Sequence, residues 1–158
     1  MINVVDNKNK LANLMASIPD NRRIILASNR GPVEFQVDQD GHLQARRGSG
    51  AIVTAFSQLL QEVELSWVAN AMGDGDRRAL DAFGNKAIPS PLPTQKGQVK
   101  FVVTPRRTYH KFYNIVCNPL LWFLQHNMWS APYTPNVDST VSDAWSNGYV
   151  PVNEAIAE

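Results

Sequence analysis

Short apolar runs of strand length alternate along this chain with longer runs whose apolar residues recur at helical spacing, and no other feature restricts the fold as much. Ile24, Ile25, Leu26 and Ala27 have the composition of a buried strand over residues 23–28, ended by the turn residues Asn29, Gly31 and Pro32. "VEFQVDQDGHLQARR" alternates around Asp40-Gly41 as a hairpin does. Gly48, Ser49 and Gly50 then form a small-residue loop that opens into a helix with one face of Ile52, Val53, Phe56, Leu59, Leu60 and Val63. "LSWVANAM" reads as a strand, residues 74–84 as a helix capped by Asp74 or Asp76 and ended by Gly84, and "GQVKFVVTP" as a strand closed by Pro105. The aromatic stretch 108–129 has helical period, with Asn118 as an N-cap and Pro119 in a first turn, which predicts a fresh helix at Pro119. Residues 131–138 read as a loop, and residues 141–158 as a last helix containing Gly148 and Pro151. Residues 1–22 form a polar leader with Leu11, Leu14, Met15 and Ile18 at helical spacing. Alternation of this kind predicts an α/β fold, a mainly parallel sheet flanked by helices.

The 158 residues are enough for one domain with a sizeable core, and the hydrophobic content of 44% is ordinary for a globular chain. A net charge of +1 argues against broad nucleic-acid binding, although the charge is unevenly spread. All 15 Lys and Arg fall within residues 1–111, against 10 acids there, whereas residues 112–158 carry 4 acids and no Lys or Arg. Cys117 is the sole cysteine, so an internal disulfide and a zinc site built on several thiolates are both excluded. The start of the chain lacks the apolar block of a signal peptide, and no run approaches the roughly 20 apolar residues of a membrane span. A soluble protein of the reducing cytoplasm, without membrane or nucleic-acid partners, is the expectation.

Arg30 stands out because it occupies the mouth of the first strand. In an α/β sheet ligands settle outside the carboxyl ends of the strands, which is where Arg30 and the Gly48–Gly50 loop should converge. A guanidinium offers a planar fork of donors suited to a phosphate, and backbone N–H groups at a helix start suit a phosphate or diphosphate. Taken singly, each feature has an ordinary reading, a solvated rim arginine and a plain capped turn. Trp67, Tyr113 and Trp122 likewise have core packing as their ordinary reading. His126, four residues after Trp122 on the same helical face, reads as structural, and His42 and His110 have no assigned role.

Five blocks in order carry a more specific signal: "SNRGPV", "GSGAIVTA", "WVANAM", "YNIVCNPLLWFLQH" and "AWSNGYVPVNEAIA". Their order and spacing resemble the beginning of the trehalose-6-phosphate synthases, the retaining enzymes of glycosyltransferase family 20, from about residue 23 onward. The resemblance implies an incomplete Rossmann-like domain of a GT-B type glycosyltransferase, with residues 1–22 as a leader and 23–158 as the N-terminal, acceptor-side domain. It further implies that Arg30 and Tyr113 bind the phosphate of the acceptor, glucose 6-phosphate, and that Trp67 and Trp122 line the acceptor pocket, Trp122 shaping the sugar site. Gly50 and Ala51 hold the places whose backbone meets the diphosphate of the donor, UDP-glucose. No catalytic residue, metal or cofactor is expected within this stretch.

Two departures from the family pattern stand out. Ala51 replaces a second glycine, keeping the N–H but adding a methyl group that limits how closely a diphosphate can approach. The family's "HDYHL"-type segment and its donor-binding domain follow the region matched here, so the chain alone is expected to be inactive, with that domain supplied in cis or in trans. A stand-alone sugar-phosphate-binding or regulatory module, and a related transferase using another phosphorylated acceptor, remain alternatives.

Overall fold

A computed structural model describes residues 24–56, 61, 63–92, 96–128 and 134–158. The leader helix expected within residues 1–22, and Leu59 and Leu60 of the helix after the glycine loop, lie outside the described residues. The chain divides into two compact units, residues 1–101 and 102–158, and each is described by itself.

In the first unit, β1 (Ile24–Ser28) and β4 (Leu65–Asn70) pair in parallel, with Leu26 opposite Trp67. Parallel neighbours need a long crossover, which here holds the hairpin β2 (Val33–Val37) and β3 (Leu43–Arg47) and the helix α1 (Ala51–Phe56). The sheet continues through β6 (Gln98–Val102) to the short edge strand β5 (Ile88–Pro89), in the order β1-β4-β6-β5. Only β5, which pairs antiparallel to β6, was not legible from the apolar pattern, because two residues carry no periodicity. Val33, Val53, Leu65, Trp67, Val99 and Phe101 are buried together as the core. This is the mainly parallel sheet with flanking helices expected of a Rossmann-like domain.

Helix α2 (Asp74–Ala82) stops before Gly84, as its composition predicts, but its N-cap is Gly73, and Asp74 and Asp76 lie within its first turn. Its cap is more elaborate than a single side chain. Buried Asp76 accepts hydrogen bonds from the backbone N–H groups of Met72 (2.9 Å), Gly73 (3.2 Å) and Phe35 (2.8 Å). One carboxylate therefore satisfies the helix start and ties β2 to it, which is how a buried charge is made tolerable.

The second unit is helical. Its first run comprises α3 (Arg106–His110), a segment of wide π-helical turns π1 (Lys111–Leu121), and α4 (Trp122–Gln125). The fresh helix expected at Pro119 is not formed, since Asn118 and Pro119 lie inside this run. A proline ring clashes with the carbonyl four residues back in a regular α-helix and cannot donate to it; wide i to i+5 turns remove that demand and let the run continue. Its second run, α5 (Ser139–Ala144), π2 (Trp145–Tyr149) and α6 (Val150–Ala157), starts two residues earlier than expected. Asp138 sets that start by accepting the N–H groups of Thr140 (2.8 Å) and Val141 (3.3 Å). Gly148 sits at the crossing of the two runs, where a β-carbon would lie 2.5 Å from Lys111 Cβ and 2.7 Å from Phe112 N. Its absence of a side chain lets the runs meet, and Phe112, Val116, Leu120, Val141, Ala144 and Val152 are buried in this unit. No described helix is long and apolar enough to cross a membrane.

Candidate functional site

The turn after β1 is fastened from below by β4. Trp67, with no exposed surface, donates its indole N–H to Ser28 Oγ at 2.8 Å, and Ser28 Oγ donates in turn to the Arg30 carbonyl at 2.6 Å. Next to it, Asn70 donates from Nδ2 to Asn29 Oδ1 (3.2 Å) and from its backbone N–H to the Asn29 carbonyl (3.3 Å). These bonds fix a tight turn at the carboxyl end of the sheet, so that Arg30 projects where the topology favours a ligand. Sequence reasoning did not single out Asn70, because the contact joins positions 41 apart and carries no local signal.

The glycine loop is held against the same turn. Gly48 donates its N–H to the Pro32 carbonyl at 2.7 Å, and a β-carbon at Gly48 would collide with the Gly31 carbonyl oxygen. Only glycine permits that approach. Ser49 consequently lies beside Arg30, whose Nη1 donates to Ser49 Oγ at 3.3 Å. Glu34, on β2, completes the group: its Oε1 accepts from Ser49 Oγ at 3.4 Å and lies 3.8 Å from Arg30 Nη1. Arg30 keeps 51% of its side chain exposed and Glu34 29%. Gly50 follows with a φ of 125°, a region that favours glycine, and open space where a side chain would be. Its carbonyl takes the N–H (3.0 Å) and hydroxyl (3.1 Å) of Thr54, so Gly50 and exposed Ala51 form the first turn of α1.

Arg30, Gly50, Ala51 and Trp67 are thus neighbours within the first unit. Trp67 differs from the others in having its whole ring inside the core, edge-on to Phe56 at 6.5 Å between ring centres. Glu34 had no place among the expected site residues. Its spacing from Arg30 looks unremarkable in sequence, and only the turn into β2 makes it a neighbour.

Tyr113 and Trp122 lie in the second unit on the first helical run. Tyr113 is half-buried and stacks on Tyr109, with ring centres 5.8 Å apart and planes 12° apart. Trp122 keeps 41% of its surface exposed. His126 stacks on it at 4.3 Å and donates from Nδ1 to the Trp122 carbonyl at 2.7 Å, the structural use its spacing suggests. Trp145 stacks on Tyr149 at 4.4 Å. Neither Tyr113 nor Trp122 lines a cleft of about 920 Å³ among the described residues of this unit, whose walls carry Arg106, Arg107, Lys111, Thr140, Asp143 and Asn147. Across that cleft the Lys111 ammonium bonds to Asp143 at 2.6 Å and, with Asn147, holds its carboxyl below the usual aspartate range.

Two other groups with reactive side chains have ordinary settings. Cys117 is half-buried, and desolvation pushes its thiol up to about 11, so it stays protonated at neutral pH. Asp38, Asp40 and His42 sit close enough to share a cation but lie exposed on the β2–β3 turn. There Asp38 Oδ1 is already engaged by the N–H groups of Asp40 (3.0 Å) and His42 (2.8 Å).

Comparison with known proteins adds a family to this geometry. The chain is 28% identical over 133 residues to the alpha,alpha-trehalose-phosphate synthase (UDP-forming) A of Dictyostelium discoideum, a match covering 84% of this chain and 16% of that protein. The chain therefore spans about a sixth of the length of this curated relative. The model of glycosyltransferase family 20 matches residues 22–158, taking in the Arg30 turn, the glycine loop and both helical runs. A match of that extent means that the chain belongs to glycosyltransferase family 20.

Proposed function

We propose that this chain forms the acceptor-side part of a retaining glycosyltransferase that moves glucose from UDP-glucose to glucose 6-phosphate, giving trehalose phosphate and UDP. The observation that carries the reading is the Arg30 turn: a guanidinium fixed at the carboxyl end of β1 and bonded to Ser49 of the glycine loop at 3.3 Å. Arg30 grips the acceptor phosphate with its fork of donors, and Tyr113 adds a hydroxyl donor. Trp122, with its exposed indole, stacks on the apolar face of a sugar. Burial of Trp67 favours a role through Ser28, as the rear wall of the acceptor site, over direct contact with the sugar. The backbone at Gly50 and Ala51 faces the donor diphosphate.

In such a transfer the acceptor hydroxyl attacks from the face that UDP leaves, and the donor phosphate helps to take the proton. Rate enhancement comes from holding the two substrates together and stabilising charge on the departing diphosphate. Arg30 and Tyr113 supply the first of these for the acceptor, whereas the second needs donor-binding groups from a further domain, in cis or in trans. The chain alone should accordingly be inactive. A soluble, cytoplasmic setting suits both substrates.

UDP release, followed by a coupled assay, tests the reading. A longer protein containing this chain should turn over UDP-glucose with glucose 6-phosphate and far more slowly with glucose, and the chain alone should release no UDP above background. Equal rates with glucose and glucose 6-phosphate would remove the acceptor-phosphate site from the account.

A further inference from the structure

The Arg30 site holds a carboxylate for which phosphate binding has no use. Arg30 presents five N–H donors, yet among the described residues its side chain meets only the Ser49 hydroxyl at 3.3 Å and Glu34 Oε1 at 3.8 Å. The carboxylate is close enough to neutralise the guanidinium but too far to fill its fork. Exposed pairs of this looseness contribute little to stability, so folding does not explain it. A phosphate oxygen accepting from the same Nη1 at about 2.9 Å would lie no more than about 6.7 Å from Glu34 Oε1. That is inside the screening length of about 8 Å at physiological salt, so the two anions repel.

We propose that Glu34 is the internal counter-anion of this site: it occupies Arg30 while the site is empty, gives way when a sugar phosphate binds, and so sets a threshold that a dianionic phosphate passes and a monoanion does not. The inference rests on the reading of Arg30 as the phosphate ligand. Ser49 is the pivot of the exchange. Its hydroxyl now accepts from Arg30 and donates to Glu34; when the phosphate arrives, the same hydroxyl can donate to a phosphate oxygen. A merely structural Glu34, aligning Arg30 for its ligand, would have the opposite sign, since its loss would weaken binding.

Calorimetric titration of the whole 158-residue chain at pH 8 separates these cases. The probes are glucose 6-phosphate, a dianion, and glucuronate, a monoanionic sugar of similar size. Glu34→Gln keeps the length of the side chain and an oxygen to accept from Ser49, and removes only the charge. Glu34→Gln should bind glucose 6-phosphate about three- to tenfold tighter than the unmodified chain, the size expected from one nearby, partly screened charge, and should gain measurable binding of glucuronate. Binding of glucose 6-phosphate by Glu34→Gln alone would overturn the threshold, because the dianion would then fail to displace Glu34 in the unmodified chain. Unchanged or weaker binding by Glu34→Gln, with binding lost in Arg30→Ala, would overturn the counter-anion and leave the Arg30 reading standing. Undiminished binding by Arg30→Ala, or no binding by any of the three proteins, would overturn both.

Discussion

Replacing Ser28 by Ala removes one hydroxyl and should cost more than a surface serine usually does. Among the described residues the Trp67 indole N–H has Ser28 Oγ alone as its partner, at 2.8 Å, and Trp67 has no exposed surface from which water could take over. An unsatisfied buried donor costs about 1–3 kcal/mol, whereas the Arg30 carbonyl released at the same time lies near solvent and costs little. Trp67→Phe removes the donor as well, and with it part of the ring that fills the core, so about 2–4 kcal/mol is expected from the lost hydrogen bond and the cavity together. In the double variant Ser28 no longer leaves a donor unpaired. The cycle should therefore show a coupling of about 0.5–1.5 kcal/mol rather than simple addition. Urea denaturation followed by circular dichroism, on the four proteins in parallel, measures all three quantities. A Ser28→Ala cost below about 0.3 kcal/mol, or additivity with Trp67→Phe within that margin, would refute the argument that this relay fastens the Arg30 turn.

Gly148→Ala places a methyl group against Lys111 Cβ and the Phe112 backbone and should destabilise the second unit by about 1–3 kcal/mol, read from the same urea titration. Cys117, with its thiol pushed up to about 11 by burial, should alkylate with iodoacetamide at pH 7.5 much more slowly than a free cysteine and catch up on denaturation. Asp138 is held below its usual value by the N–H groups of Thr140 and Val141, and Asp143 by its bond to Lys111. A depressed carboxylate stabilises the fold above its unfolded value of about 3.9 and loses that contribution as the pH falls through the folded one. Helical signal should thus be flat from pH 7 to about pH 4 and fall below it, and Asp138→Asn, which keeps a capping oxygen, should blunt the fall.

Much of this organisation can be read from local pattern. Ile24–Ser28 and Leu65–Asn70 are strands because their apolar runs have strand length and end at turn residues. Arg30 and Gly50 meet at the same end of the sheet because a parallel arrangement brings strand ends and helix starts together. What local pattern misreads is the run through Asn118 and Pro119. There the residues are those of a helix start, but tertiary packing of Val116 and Leu120 against Val141 and Ala144 favours a continuous helix with widened turns. What it does not contain is the set of contacts between positions distant in sequence or joined by a turn. Asn70 with Asn29, Asp76 with Phe35, and Glu34 with Arg30 are pairings of ordinary polar residues with no spacing rule to announce them. The family was legible because several short motifs in order carry it, and the contacts behind those motifs were not, because their chemistry is shared with any loop.

The central claim is that Arg30 reads the phosphate of a phosphorylated sugar, and saturation-transfer NMR on the chain tests it most directly. The protons of glucose 6-phosphate should receive saturation from the unmodified protein, and those of glucose should not. Arg30→Lys, which keeps the charge but loses the bidentate fork, should bind more weakly, and Arg30→Ala more weakly still, by about 1.5–3 kcal/mol. Tyr113→Phe should cost about 0.5–1.5 kcal/mol if its hydroxyl donates an ordinary hydrogen bond. Equal saturation of glucose 6-phosphate by the unmodified chain and by Arg30→Ala would contradict the claim and return Arg30 to the status of a solvated residue at the rim of the sheet.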